Sequence, residues 1–154
     1  MKRSSFNKIV LNIPHASVEG LYDKKLSFWQ PTVSFINDCV YKLTDWHTDY
    51  LFVEDSSTIT PIRFPYSRFI VDAERLENDP LESIGQGIIY KQFDGFSRNI
   101  PNDKTTIDRL KALWDNHQKN LTNKLDEDAI LIDCHSFPQE MSDIDVCIGY
   151  NDDW

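Results

Sequence analysis

Long apolar runs are missing from this sequence, and no stretch approaches the roughly 20 apolar residues that a membrane-spanning helix needs. A basic excess is missing too: 16 lysines and arginines face 25 acidic residues, for a formal net charge of -9. That balance argues against nucleic acid and anionic membranes as partners, since both call for a basic patch. Cysteine is scarce. Cys39, Cys134 and Cys147 leave an odd thiol and form no CxxC pair, so free thiols in a reducing compartment are expected. Residues 1–7 are polar and basic and lack the apolar segment of a signal peptide. There is no glycine-rich phosphate loop and no GxSxG, which puts phosphoryl transfer and serine hydrolysis behind metal-assisted hydrolysis. The expectation is a soluble, cytoplasmic monomer with no nucleic-acid and no membrane partner.

What is present fits one domain, because 154 residues can bury a sizeable core but do not divide comfortably in two. The β-branched run from Lys8 to Ile13 reads as a buried strand stopped by Pro14. From Thr32 to Leu43, Ile36, Cys39, Val40 and Leu43 recur at helical spacing. Tyr50 to Val53 fits a strand or a helix start. Arg68 to Asp72 is a short strand candidate, and residues 77 to 103 read as loop with a small hairpin near Ile88 to Tyr90. The clearest helix runs from about Lys104 to Lys124, with Asp103 as its N-cap and Ile107, Leu110, Trp114, Leu121 and Leu125 as one stripe. Two strands come after it, Ala129 to Cys134 and Asp145 to Gly149. Strands alternating with helices predict an α/β layered fold whose sheet is parallel or mixed.

His15 follows the first strand candidate and His135 a later one. In a parallel sheet both would emerge at one edge, where α/β proteins usually hold their ligands. His47, between Asp45 and Asp49, reads better as part of a turn, and His117 on the helix stripe as a hydrogen-bonded core residue. Glu19, four residues after His15, would share a face with it if a helix began there. Arg63, Arg68 and Arg75 gather within thirteen residues of an acidic chain. They fit either a bidentate carboxylate clamp or an ion-pair network with Asp72 and Glu74.

Five segments in order, NIPHAS, DWHTDYLF, YSRFIVDAER, DCHSFP and DIDVCIGYNDD, resemble the N-formylglutamate amidohydrolase family. In the third, Ala73 and Glu74 stand where leucine and asparagine are commoner. The resemblance implies a zinc-carboxypeptidase-like (phosphorylase/hydrolase-like) α/β fold, a three-layer sandwich with a mixed central sheet. It also implies a single domain over residues 1–154 that lacks the family's C-terminal part, including a general-base glutamate. By the same resemblance the activity is zinc-dependent hydrolysis of an N-formyl or N-acyl amino acid such as N-formylglutamate. His15 and His135 would bind the zinc with Asp49 as third ligand, or Glu19 in its place. Arg68 and Arg75 would bind the substrate carboxylate or polarise the scissile carbonyl, with Ser136 as a further substrate contact. The competing expectation is a relative that keeps the fold and a cleft without hydrolysis.

Overall fold

Lys8–Ile13 (β1) lies at the centre of a three-stranded parallel sheet, between Ile59–Arg63 (β2) and Ala129–Asp133 (β5). The computed structural model describes residues 8–53, 56–141 and 143–149. The basic first seven residues and positions 150–153 of the fifth resemblance segment lie outside the described residues. Val10 and Ile13 are fully buried, as the apolar run of β1 demands. Asn12 pairs with Asp133 across the β1–β5 ladder, and the Cys134 amide donates to the Asn12 carbonyl at 2.8 Å. The two chain segments therefore leave the sheet side by side, and the residues just past β1 and β5 meet at one edge.

β2 contains Pro61, which cannot donate to a ladder. Its place at the sheet margin resolves that conflict, because a proline is tolerated on an edge strand. The expected strand at Arg68 to Asp72 is instead a turn. Its carbonyls go to side chains rather than to a neighbouring strand: Phe69 O accepts from the Trp29 indole at 2.6 Å, and Ile70 O from Arg98 at 3.0 Å. The hairpin lies a few residues beyond Ile88 to Tyr90, pairing Gln92–Phe93 (β3) with Phe96–Ser97 (β4). Asp94 and Gly95 both have positive φ, the conformation a tight Asp-Gly hairpin turn requires. Asp145 to Gly149 forms no strand; Val146 and Ile148 are exposed and no ladder reaches them among the described residues.

Between β1 and β2, a π-helical segment at Phe35–Val40 runs into Tyr41–Leu43 (α1), and Thr48–Leu51 (α2) comes next. Phe35 is fully buried and packs against Trp29, Phe69 and Phe96, with ring centroids 4.8, 5.2 and 5.2 Å away. Arg98 ties this core to the loops around it. Its buried guanidinium donates to the carbonyls of Leu26, Ser27, Ile70 and Tyr90, and burial lowers its pKa to about 9.

Lys104–Thr122 (α3) buries Thr106, Leu110, His117 and Leu121, while Ile107 remains exposed, as does Leu125 just beyond the helix. The Asp103 carboxylate accepts from the Thr106 amide at 2.8 Å, a side-chain cap for an otherwise unpaired donor. Asp103→Ala should cost about 1 kcal/mol. For a chain of this size that lowers the melting temperature by roughly 2–4 °C, readable in a thermal melt. Among the described residues no helix is long and apolar enough to cross a membrane.

Candidate functional site

At the carboxyl edge of the sheet, His15 follows β1 and His135 follows β5, and their rings lie 5.4 Å apart between centroids. The parallel register brings them together, since Cys134 is held against Asn12. Asp45 joins them because its amide donates to the His15 carbonyl at 3.0 Å, drawing the turn before α2 onto the end of β1. Its Oδ2 lies 2.8 Å from His135 Nδ1 and 3.6 Å from His15 Nδ1. One donor atom from each of His15, Asp45 and His135 falls within 4.8 Å of the others, as in a group able to hold a cation.

The second wall is the turn at residues 67–75. Asp72, fully buried, faces the other side of His15 with Oδ1 2.8 Å from Nε2. Its Oδ2 accepts from Arg68 Nη2 and from the Tyr90 hydroxyl, each at 2.8 Å. Arg75 Nε stands 3.6 Å from the same oxygen. Of the two functions open to the arginine cluster, Arg68 thus serves an ion pair; Arg63 lies apart, donating to the Asp49 carbonyl at 3.0 Å. Glu74 turns its carboxylate to both imidazoles, 3.0 Å from His135 Nε2 and 3.9 Å from His15 Nδ1.

Electrostatics follow from this arrangement. Burial disfavours charge on Asp72, but His15 and Arg68 outweigh it and hold the carboxyl well below the usual range. Arg68 is likewise held above its usual value by Asp72 against the effect of burial. The carboxylates of Asp45 and then Glu74 push His135 up to about 10. His15 is also raised, since Asp45 and Asp72 outweigh the burial that would lower it. Asp45 and Glu74 make their ion pairs with these two imidazoles alone among the described residues. Carboxylates thus flank both imidazoles, Asp45 and Glu74 on one side and Asp72 on the other, and favour positive charge between them.

One atom shows where that charge fits. His15 is 1 % exposed, its Nε2 is engaged by Asp72, and its Nδ1 is buried with no hydrogen-bond partner. A buried polar nitrogen aimed at a carboxylate and a second imidazole is the lone pair a cation would take. Two imidazoles and a carboxylate are a donor set that suits zinc, and other divalent ions to lesser degrees.

Of the residues expected from sequence, His15 and His135 are brought together, with Arg68 and Arg75 behind them on Asp72. Asp49 and Glu19 are exposed and belong neither to the group of His15, Asp45 and His135 nor to the second candidate group, His15, Asp72 and Glu74, among the described residues. The first turn of α2 points the Asp49 side chain outward, four residues beyond Asp45. Glu19 borders a separate cleft with Tyr22 and Tyr66. Ser136 is exposed in a cleft of about 280 Å³ with Tyr41, Lys42, Thr44, Trp46, Phe137 and Pro138, beside His135. His47 sits exposed at a left-handed turn, and His117 is buried against Asn12 Oδ1 at 2.8 Å. Asp45 and Tyr90 belong to the site although the sequence alone did not place them there. Asp45 had a signal, since it opens the same DWHTDYLF segment as Asp49; Tyr90 had none.

No curated protein and no solved structure matches the chain. A family model does, that of N-formylglutamate amidohydrolase, over residues 8–153. That span includes every residue of the site, and the chain belongs to the N-formylglutamate amidohydrolase family.

Proposed function

We propose that this chain is a zinc-dependent amidohydrolase that cleaves the amide of N-formyl or N-acyl amino acids such as N-formylglutamate. The observation that carries this reading is the unpartnered, buried Nδ1 of His15 beside Asp45 and His135. His15, Asp45 and His135 are the ligands in this reading. A divalent ion bound by them supplies Lewis acidity at the scissile carbonyl and an acidified water.

The chain's own residues do the rest. Asp72 accepts from His15 Nε2, which fixes the tautomer and leaves Nδ1 free to ligate. Arg68 and Tyr90 hold Asp72 in that position. Arg75, with 23 % of its side chain exposed against 15 % for Arg68, is the arginine better placed to take a substrate carboxylate. Arg68, more deeply set, contributes positive potential toward the carbonyl oxygen as charge develops there. The cleft beside His135 receives the amino-acid portion, with the Ser136 hydroxyl as one polar contact.

A cytoplasmic monomer with a small-molecule substrate belongs to the same reading, in keeping with free Cys39, Cys134 and Cys147. So does the zinc-carboxypeptidase-like three-layer sandwich, supported by the parallel β2–β1–β5 sheet and by α3, whose His117 reaches Asn12 of β1. Formate release from N-formylglutamate by the zinc-supplied protein tests the proposal. Turnover that a chelator abolishes and added zinc restores is the expected result. Hydrolysis indifferent to chelation rejects the metal, and no hydrolysis of any N-formyl or N-acyl amino acid rejects the activity.

A further inference from the structure

Each imidazole of the site has two nitrogens, and they face different partners. For His15, Nδ1 looks into the site and Nε2 looks back at Asp72. For His135, Nδ1 looks toward Asp45, and Nε2 lies 3.0 Å from Glu74 Oε1. That last contact is an ion pair by distance but lies off hydrogen-bond alignment, so Nε2 is buried and unpartnered as it stands. When an imidazole gives one nitrogen to a cation, the other must carry the proton, and an acceptor for that N–H sets both tautomer and ring orientation. Asp72 is that acceptor for His15.

We propose that Glu74 is the corresponding positioning residue for His135, accepting its Nε2–H so that Nδ1 is presented to the cation. The inference rests on the reading of His15, Asp45 and His135 as ligands. Three observations support it. Among the described residues Glu74 is the only side chain in an ion pair with His135 Nε2. Its own side chain is 41 % exposed, leaving it room for the rotation that brings Oε1 into line. The Glu74 amide donates to Asp72 Oδ1 at 3.2 Å, so the two backing carboxylates are built from one turn. Seen this way, the turn at residues 72–74 orients both histidines, Asp72 from within the core and Glu74 from its rim.

Competitive titration with a chromogenic chelator, on the full chain, measures zinc affinity for wild type, Glu74→Gln and Glu74→Ala, with cobalt absorption spectra recorded alongside. Loss of a backing carboxylate is expected to weaken zinc about 10- to 100-fold in Glu74→Ala. Glu74→Gln keeps an acceptor oxygen and should recover most of that affinity, with the cobalt spectrum unchanged in both variants. A downfield imidazole N–H resonance seen with zinc in the wild type should vanish in Glu74→Ala. Undiminished affinity in Glu74→Ala overturns the inference. So does equal loss in both variants: a changed cobalt spectrum would make Glu74 a ligand itself, and an unchanged one would reduce it to a charge. If the wild type binds neither metal, the ligand reading fails and takes the inference with it, an outcome distinct from all the others.

Discussion

Asp72→Asn is expected to lower stability by about 3–5 kcal/mol, the cost of breaking a buried ion pair by removing one partner. In a chain of this size that is a fall of roughly 6–20 °C in melting temperature. The asparagine is nearly isosteric, so the loss comes from charge and hydrogen bonding. Both Asp72 oxygens only accept: Oδ1 from His15 Nε2 and the Glu74 amide, Oδ2 from Arg68 Nη2 and the Tyr90 hydroxyl. An asparagine must turn its NH2 toward one of these pairs of donors, setting donor against donor. Meanwhile Arg68 loses the partner that compensated its burial. With its oxygen turned to the charged Arg68 and to Tyr90, the asparagine presents NH2 to His15 Nε2 in place of an acceptor, so zinc binding in the proposed reading should weaken as well. Thermal melts and zinc titration on the same preparation check both effects. A variant as stable as wild type would mean that the turn at residues 67–75 does not depend on the carboxylate.

The second large effect is a dependence on pH carried by His117. It is 3 % exposed, and burial, with the nearby charge of His15, lowers its pKa to about 4 against 6.5 for an unperturbed histidine. Its Nε2 donates to Asn12 Oδ1, and Asn12 Nδ2 donates in turn to Asp133 Oδ1 at 2.6 Å. The unfolded chain takes up the proton first as pH falls, so the stability tied to neutral His117 is whole above about pH 6.5. It is lost as pH drops toward 4, by roughly 3 kcal/mol in all. His117→Gln removes the titration and keeps a donor for Asn12. Urea unfolding at pH 7.5 and pH 4 should therefore show wild type losing roughly 3 kcal/mol more than His117→Gln across that interval. Parallel losses in the two proteins would show that His117 titrates in the fold as it does in the unfolded chain.

What could be read from the sequence, and what could not, divides by how local the deciding interaction is. β1 and β5 were legible because their apolar runs are short, β-branched and sharply bounded. The convergence of His15 and His135 followed from the single premise of a parallel sheet. The cap at Asp103 was legible too, being a bond between residues three apart. β2 was hidden by Pro61, whose meaning depends on the strand lying at the edge. Arg68 to Asp72 imitated a strand because it is apolar and buried, yet Trp29 and Arg98 take its carbonyls from far along the chain. That Asp45 and not Asp49 lies beside the two histidines turns on one bond, from the Asp45 amide to the His15 carbonyl, spanning 30 residues. Within DWHTDYLF the two aspartates look equally suitable, and local pattern holds no trace of that bond.

The most direct test of the central claim is the metal content of the purified protein by plasma mass spectrometry, with His15→Ala/His135→Ala measured in parallel. Near-stoichiometric zinc in the wild type that is absent from the double variant is the result expected of a site built on these two histidines. A wild-type protein that holds no divalent metal, even after zinc is supplied, would contradict it, leaving a family member whose two strand-end histidines serve only their ion pairs with Asp45, Asp72 and Glu74.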